Sequence, residues 1–227
     1  MLISLGSSCK VRSAIQRHIR VDTLESNMFD WVISNFASVV YFIQHIDQPI
    51  IESDFDDSKI LYLGKRFVYH TKLRFNSIHD CDANLSYENS LPLFLQKYNR
   101  RLLRLKNHIL QQTKIDFIHL VDYEKNPNFP DTNLYIPTSE EISLFYEGIK
   151  KINPNCIVRL HILIPPPNCR TAKELDNKNF VFTKSEIDKL TSEKTCIHYV
   201  DQDENIDTNG HICSHWKWEK IFNLIDR

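Results

Sequence analysis

The chain has 227 residues, 28 basic and 29 acidic side chains, and a formal net charge of −1. This balance argues against a nucleic-acid binder that works by bulk positive charge. No apolar run reaches the roughly 18–20 residues that a membrane-spanning helix needs, and no secretory signal is visible. With 42% hydrophobic residues, the composition is typical of a folded protein. We therefore expect a cytoplasmic protein with neither nucleic acid nor a membrane as partner.

The beginning of the chain predicts a strand, a tight turn and a helix. Residues 2–6 are a short, largely apolar run that ends in Gly, which is typical of a buried strand. Apolar residues then recur at helical spacing as far as Ile19, and Ser7 or Ser8 is suited to cap that helix. Cys9 therefore lies at the start of the first predicted helix.

The next part of the chain, residues 20–90, predicts an irregular insertion. Residues 26–46 contain a loop that leads into an apolar-rich helix. Residues 60–80 are rich in aromatic and β-branched side chains broken by Gly and Lys, which predicts a hairpin or irregular strands. Residues 90–112 then repeat apolar side chains every three or four positions, which indicates a long helix.

From residue 114 onward, predicted strands alternate with predicted helices. The strands are expected at 115–122, 156–164 and 196–201, and the helices at 139–152, 183–193 and 215–225. Dense apolar strands separated by helices indicate a parallel sheet that is covered on both faces. We predict a single α/β domain over residues 1–227 with a three-layer α/β/α arrangement and a mostly parallel sheet. The alternative is a small N-terminal lobe that is followed, near residue 113, by an α/β half.

Cys9 is the leading candidate for a nucleophile. In open α/β sheets the functional residues follow the carboxyl ends of the strands, and Cys9 follows the first strand. A helix N-terminus favours the thiolate through its unpaired N–H groups and its dipole, and the same groups can stabilise an oxyanion. The alternative is that Cys9 is a small core residue. Ser7 and Ser8 are competing nucleophiles, substrate-binding hydroxyls or simple caps.

A thiolate nucleophile needs a base, and three histidines are candidates. His211 and His215 flank the start of the last predicted helix, from which a side chain could return to Cys9. His79 next to Asp80 is a second possibility, because a carboxylate can orient an imidazole. A surface position is the alternative for each of these histidines. The His-x-Cys-x-His spacing of 211–215 lacks a strong zinc precedent, so no metal is expected.

Four further residues are candidates for substrate binding. Asp30 is flanked by two large aromatic residues, so we expect it to be buried and to need a partner. Arg100 and Arg101 belong to a basic helical face that could hold a phosphate or a carboxylate, or could simply face solvent. Asp122 directly follows a predicted strand.

Several of these segments together resemble a known family. They are Gly-Ser-Ser-Cys at 6–9, Phe-Asp-Trp at 29–31, His-Asp at 79–80 and Tyr-Asn-Arg-Arg at 98–101. The pattern resembles a family of unknown function that is labelled papain-like cysteine peptidases, and it implies that Cys9 is the nucleophile. A nucleophile after the first strand and a His before the last helix are also similar to the SGNH hydrolases and acyltransferases. That likeness implies an SGNH-like or flavodoxin-like fold.

These observations lead to an acyl-transfer enzyme as the expected function. An acyl-thioester would form on Cys9 with a His as general base. Acetyl transfer from coenzyme A to a sugar or sugar nucleotide is favoured, with acetyl-CoA as a co-substrate and no permanently bound cofactor. The family association suggests one domain of a larger sugar-modifying protein. The alternatives are a papain-like peptidase or hydrolase, and a non-catalytic module that binds an anion or a sugar nucleotide.

Overall fold

The structure is a computed structural model. It describes residues 1–6, 9–19, 25–56, 61–62, 65–66, 68–70, 73, 75–77, 80, 84–121, 137–164, 185, 189–200 and 217–225. In chain order its elements are β1 (Leu2–Ser4), α1 (Cys9–Ile19), β2 (Val32–Ser34), α2 (Phe36–Gln44), a 3₁₀ helix (Glu52–Asp54), β3 (Phe55–Asp56), β4 (Leu61–Tyr62), β5 (Lys65–Arg66), β6 (Val68–His70), β7 (Phe75–Ser77), α3 (Tyr87–Gln111), β8 (Lys114–Leu120), α4 (Ser139–Ile152), β9 (Ile157–Ile164), β10 (Thr195–Tyr199) and α5 (Trp218–Ile225).

A four-stranded parallel sheet in the order β1-β8-β9-β10 is the centre of the fold. Leu5 extends the pairing of β1 by donating its backbone N–H to the carbonyl of Ile118 at 2.8 Å. The strands are dense in β-branched and apolar side chains, as expected of strands covered on both faces. The predicted α/β class and the parallel sheet are therefore confirmed.

Apolar side chains form two clusters that contact β8 from different sides. Ile115 and Phe117 belong to a large cluster that also takes side chains from α2, α3 and α4. Ile118 and Leu120 belong to a smaller cluster with α1 and α5. Because side chains alternate along a strand, these two pairs project from opposite faces of the sheet. Helices therefore contribute apolar side chains to both faces of β8.

The insertion contains a small antiparallel sheet in the order β2-β7-β6-β3, and β4 and β5 form a separate two-stranded ladder. The irregular strands predicted around 60–80 are thus short strands, and the predicted helix within 26–46 is α2. Only fragments of the predicted helix at 183–193 fall within the described residues. None of the described helices combines the length and the apolar character that crossing a membrane requires.

Candidate functional site

The end of β1, at Leu5 and Gly6, is tightly packed against the insertion. Gly6 has a φ of +81°, a left-handed conformation that side chains other than glycine's rarely adopt. A Cβ at this position would clash with Oγ of Ser34 and lie 3.2 Å from the carbonyl oxygen of Phe29. Ser34 also donates a hydrogen bond to the carbonyl of Leu5 at 3.2 Å. These contacts hold the carboxyl end of β1 against residues 29–34.

Cys9 is the first residue of α1, as predicted. Its backbone is therefore at a helix N-terminus just beyond the carboxyl end of β1. The Cys9 side chain lies outside what the structure describes, as do the whole of Ser7 and Ser8. The predicted strand and the predicted helix are confirmed, and the reactivity of the thiol stays a prediction.

Asp30 is buried beside the first turns of α1. It has no exposed surface, and its Oδ2 lies 3.4 Å from Nε of Arg12 and accepts the backbone N–H of Asn27 at 2.8 Å. Burial raises the pKa of Asp30 to about 6, although the Arg12 charge and the Asn27 hydrogen bond oppose this. Its Oδ1 is buried and has no hydrogen-bond partner among the described residues. The expectation of a buried, partnered carboxyl is confirmed, and one oxygen remains for another group.

Asp80 is the centre of a hydrogen-bond network between the insertion and α3. Its Oδ2 accepts from Oγ of Ser77 at 2.8 Å, from Nη1 of Arg101 at 3.1 Å and from the hydroxyl of Tyr98, while Oδ1 accepts from Lys97. Burial alone would raise the pKa of Asp80, but the hydrogen bonds from Lys97 and Tyr98 and the Arg101 charge outweigh it, so the pKa is lowered. Asp80 is therefore ionised and held in place.

The two predicted anion-binding arginines have different environments. Arg101 is buried, lies over the Tyr98 ring at 4.8 Å and pairs with Asp80. Arg100 is exposed on α3. Arg104, one turn further along, pairs with Glu25 at 2.7 Å. Arg101 thus has an internal partner for its charge, whereas Arg100 faces solvent where a ligand could reach it.

His119 on β8 is buried, and only one of its ring nitrogens has a hydrogen-bond partner among the described residues. It is 3% exposed and packs edge-on against Phe36 at 5.1 Å between ring centroids. Burial lowers the pKa of His119 to about 4, although its hydrogen bond with the Leu5 backbone opposes this. Its Nδ1 is buried without a hydrogen-bond partner among the described residues. His119 contacts Leu5 at the end of β1, and Asp30 contacts Arg12 of α1. Each of these two residues therefore carries one buried polar atom without a hydrogen-bond partner among the described residues.

A second polar cluster, which sequence reasoning missed, crosses three strands of the parallel sheet. Oδ1 of Asp116 accepts from Nε of Arg159 at 2.5 Å and lies 3.2 Å from Nε2 of His161. The other ring nitrogen of His161 lies 2.9 Å from Nε2 of His198. Cys196, on the same strand as His198, has a free and partly buried thiol. Both Cys196 and His198 are only partly buried.

Charge and burial set the protonation of this cluster. Burial opposes ionisation of Asp116, but hydrogen bonds from His161 and Arg159 outweigh it and lower the pKa of Asp116 to about 2. Burial, assisted by the neighbouring His161, lowers the pKa of His198 to about 4. The cluster therefore combines a fixed carboxylate with an imidazole that is neutral at physiological pH. No signal in the sequence places these residues together, because the contacts depend on strand register.

The remaining candidates lie outside the described residues, so the pairing of Cys9 with a base stays a prediction. They are His79, Asp122, His211 and His215.

Comparisons of this chain with protein-family models, with curated proteins and with solved structures found no match. The resemblances to the papain-like family and to the SGNH enzymes therefore also stay predictions, and inference about the chemistry depends on the residues of this chain.

Proposed function

We propose that this protein is an acyl-transfer enzyme with Cys9 as its nucleophile. The thiolate attacks the carbonyl carbon of an acyl donor, the bond to the leaving group breaks, and a thioester forms on Cys9. A histidine first takes the thiol proton of Cys9 and then gives it to the leaving group. The acceptor next attacks the thioester and loses its proton to the same histidine, and the C–S bond breaks to release the Cys9 thiolate. His79, His211 and His215 are the proposed bases, with Asp80 next to the first of them in the sequence.

The observation that carries the proposal is the surroundings of the β1–α1 turn. Cys9 begins an eleven-residue helix directly beyond the carboxyl end of β1, where the helix dipole favours a thiolate. Buried polar atoms that lack partners among the described residues occur beside this turn, on Asp30 and His119. Such atoms are uncommon in native proteins and are explained by strain, by a catalytic role, or by a water or ion that completes the bonding.

The finer features of the proposal concern the fold type and the substrate. The fold is proposed to be a three-layer α/β/α arrangement of the SGNH type. The donor is proposed to be acetyl-CoA, and the acceptor a hydroxyl or amino group of a sugar or sugar nucleotide. The exposed Arg100 is suited to a phosphate of either substrate, because guanidinium groups bind phosphate oxygens in pairs. A papain-like peptidase is the alternative within the same chemistry.

Alkylation of the native full-length chain tests the nucleophile. Limiting iodoacetamide at neutral pH should modify Cys9 faster than Cys156 and Cys196, which are partly buried free thiols and serve as internal controls. The physical reason is that only Cys9 lies at a helix N-terminus among these three. Equal rates for all three thiols would contradict the proposal.

Intact-mass measurement separates the transferase from the peptidase. Incubation with acetyl-CoA should add one hydroxylamine-sensitive acetyl group to the wild type and none to Cys9→Ala. A peptidase would instead be modified at Cys9 by a peptide epoxide and not by acetyl-CoA. Acetylation that persists in Cys9→Ala would refute the assignment of the nucleophile.

A further inference from the structure

Three potential metal ligands lie together on one face of the parallel sheet. His161 on β9, and Cys196 and His198 on β10, each offer one ligand atom, and these atoms lie within 4.8 Å of one another. Cys196 is directly opposite His161 in the strand register. His198 follows two residues later, and residues two apart on a strand project to the same face. Two neighbouring strands therefore hold all three side chains in place.

The spacing is close to that of a tetrahedral zinc ion. Bond lengths of about 2.0–2.1 Å to nitrogen and about 2.3 Å to sulfur imply nitrogen atoms about 3.3 Å apart and sulfur about 3.6 Å from each nitrogen. The two imidazole nitrogens of His161 and His198 are 2.9 Å apart. To bind the ion, the rings have to rotate so that these nitrogens separate by a few tenths of an ångström, and the Cys196 sulfur, which lies within 4.8 Å of them, has to come to about 3.6 Å from each.

The hydrogen bonds of His161 already suit a metal ligand. A carboxylate only accepts hydrogen bonds, so Nε2–H of His161 donates to Asp116 at 3.2 Å, and in the neutral imidazole Nδ1 presents its lone pair. Asp116 is in turn held by Arg159 at 2.5 Å. An imidazole that donates one N–H to a carboxylate and uses its other nitrogen for the metal is the usual arrangement around protein-bound zinc. Only His198 has to change its tautomer, because its Nε2–H now donates to His161.

We infer that His161, Cys196 and His198 form a binding site for a zinc ion, and that Asp116 positions the first of them. Two imidazoles and one thiolate are a zinc donor set, and three protein ligands leave a fourth position for water or another ligand. Cys196 and His198 are only partly buried, so an ion can reach the site from solvent. The inference does not depend on the chemistry of Cys9.

Metal binding by the native full-length chain tests the site. The chain is stripped with a chelator and titrated with zinc alone against a chromophoric competitor, and bound zinc is counted by mass spectrometry. We expect one zinc per chain. Loss of the supporting carboxylate in Asp116→Asn should weaken zinc affinity by ~10–100-fold. Cys196→Ser and His198→Gln, which remove ligands, should weaken zinc affinity by more than this.

Matched controls separate this site from other thiols and histidines. Cys156→Ser removes a partly buried thiol elsewhere in the sheet region, and Cys9→Ala removes the proposed nucleophile; neither should change zinc affinity. A triple variant of His211, Cys213 and His215 removes the other closely spaced set in the sequence and should also leave affinity unchanged.

Cobalt gives a second readout that does not depend on affinity. A thiolate-to-cobalt charge-transfer band should appear in the wild type and be absent from Cys196→Ser. As a folding control, the metal-free variant should unfold at the same temperature as the metal-free wild type. Absence of zinc binding, zinc binding unchanged in both ligand variants, or zinc lost only in the triple variant would each overturn the inference.

Discussion

Replacing Asp80 with Asn should be among the most destabilising conservative changes in the described part of the protein. The asparagine keeps the size and shape of the side chain, so no cavity forms. What it removes is the negative charge that Arg101 pairs with at 3.1 Å. The change therefore isolates the electrostatic contribution of the network from its packing.

The magnitude follows from the exposure of each partner. The amide oxygen of Asn can replace Oδ2 and keep the hydrogen bonds from Ser77 and Tyr98. The Lys97 side chain is 36% exposed and can turn to water, so the loss of its ion pair with residue 80 costs less than about 1 kcal/mol. The Arg101 side chain is 7% exposed and stays buried without its counter-ion. Removing one partner of a buried ion pair costs ~3–5 kcal/mol. Because the hydrogen bonds from Ser77 and Tyr98 are kept, we expect Asp80→Asn to lose unfolding free energy at the lower end of this range, about 3 kcal/mol.

Urea unfolding monitored by circular dichroism measures this loss. Lys97→Met is the matched control and should lose less than about 1 kcal/mol. The double variant Asp80→Asn with Arg101→Met should lose less than the sum of the single variants, because the unpaired charge is removed as well. A loss below about 1 kcal/mol for Asp80→Asn, or additive effects in the double variant, would refute the reasoning.

The pH dependence provides an independent check on the same variant. The pKa of Asp80 is lowered in the folded protein, so its contribution is fully present above the unfolded value of about 3.9 and is lost as the pH falls through the folded value. The difference in unfolding free energy between wild type and Asp80→Asn should therefore be constant near neutral pH and shrink below about pH 4. A difference that persists undiminished in acid would show that it has another origin.

Two further predictions concern the ionisation of Asp30 and the replacement of Gly6 by alanine. Burial raises the pKa of Asp30 to about 6, so its ionisation opposes folding. The unfolding free energy of the wild type minus that of Asp30→Asn should therefore fall by about 2 kcal/mol as the pH rises from about 4 to about 7 in urea titrations, and a difference that stays constant over this range would contradict the raised pKa. Gly6→Ala should destabilise by at least about 2 kcal/mol in thermal unfolding, because it combines a left-handed backbone with a clash against Ser34. Gly148→Ala tests the steric contribution alone: its Cβ would lie 2.6 Å from Cγ2 of the buried Ile43, but no left-handed backbone is involved and alanine's helix propensity offsets about 1 kcal/mol. A smaller loss is therefore expected than at Gly6, and equal losses at both glycines would contradict this account.

Local signals explain the parts of the fold that the sequence predicts well. Helix α4 begins and ends where its apolar spacing and its cap predict, at Ser139 and Ile152. Thr138 and Glu141 form a reciprocal capping box, a motif that is readable from four residues. The start of α1 at Cys9 is also predicted from a cap and a short periodic pattern.

Contacts between distant segments explain what the sequence could not predict. β2 (Val32–Ser34) and β7 (Phe75–Ser77) pair across about forty residues and are each three residues long, too short to show an alternating pattern. The contact between His161 and His198 likewise depends on the register of two parallel strands. Sequence reasoning could identify both histidines as strand residues, but nothing in one sequence reveals which residues of different strands face each other.

The buried charges also explain why the insertion is relevant to the proposed active site. Asp30 pairs with Arg12 on α1, and the charge of Arg101, which pairs with Asp80, also lowers the pKa of Asp30. The two ion pairs are therefore close enough to interact. Apolar residues could fill the same volume with equal or greater stability, so we expect the Asp30–Arg12 ion pair to contribute more to the position of α1 than to stability.

If these pairs position α1, their loss should change the chemistry at its N-terminus before the protein unfolds. The alkylation rate of Cys9 relative to Cys156 should fall in Asp80→Asn under conditions where circular dichroism still shows a folded protein. Lys97→Met, which removes an exposed partner of the same carboxylate, should leave the ratio unchanged. An unchanged ratio in Asp80→Asn would mean that the network stabilises the insertion without positioning the nucleophile.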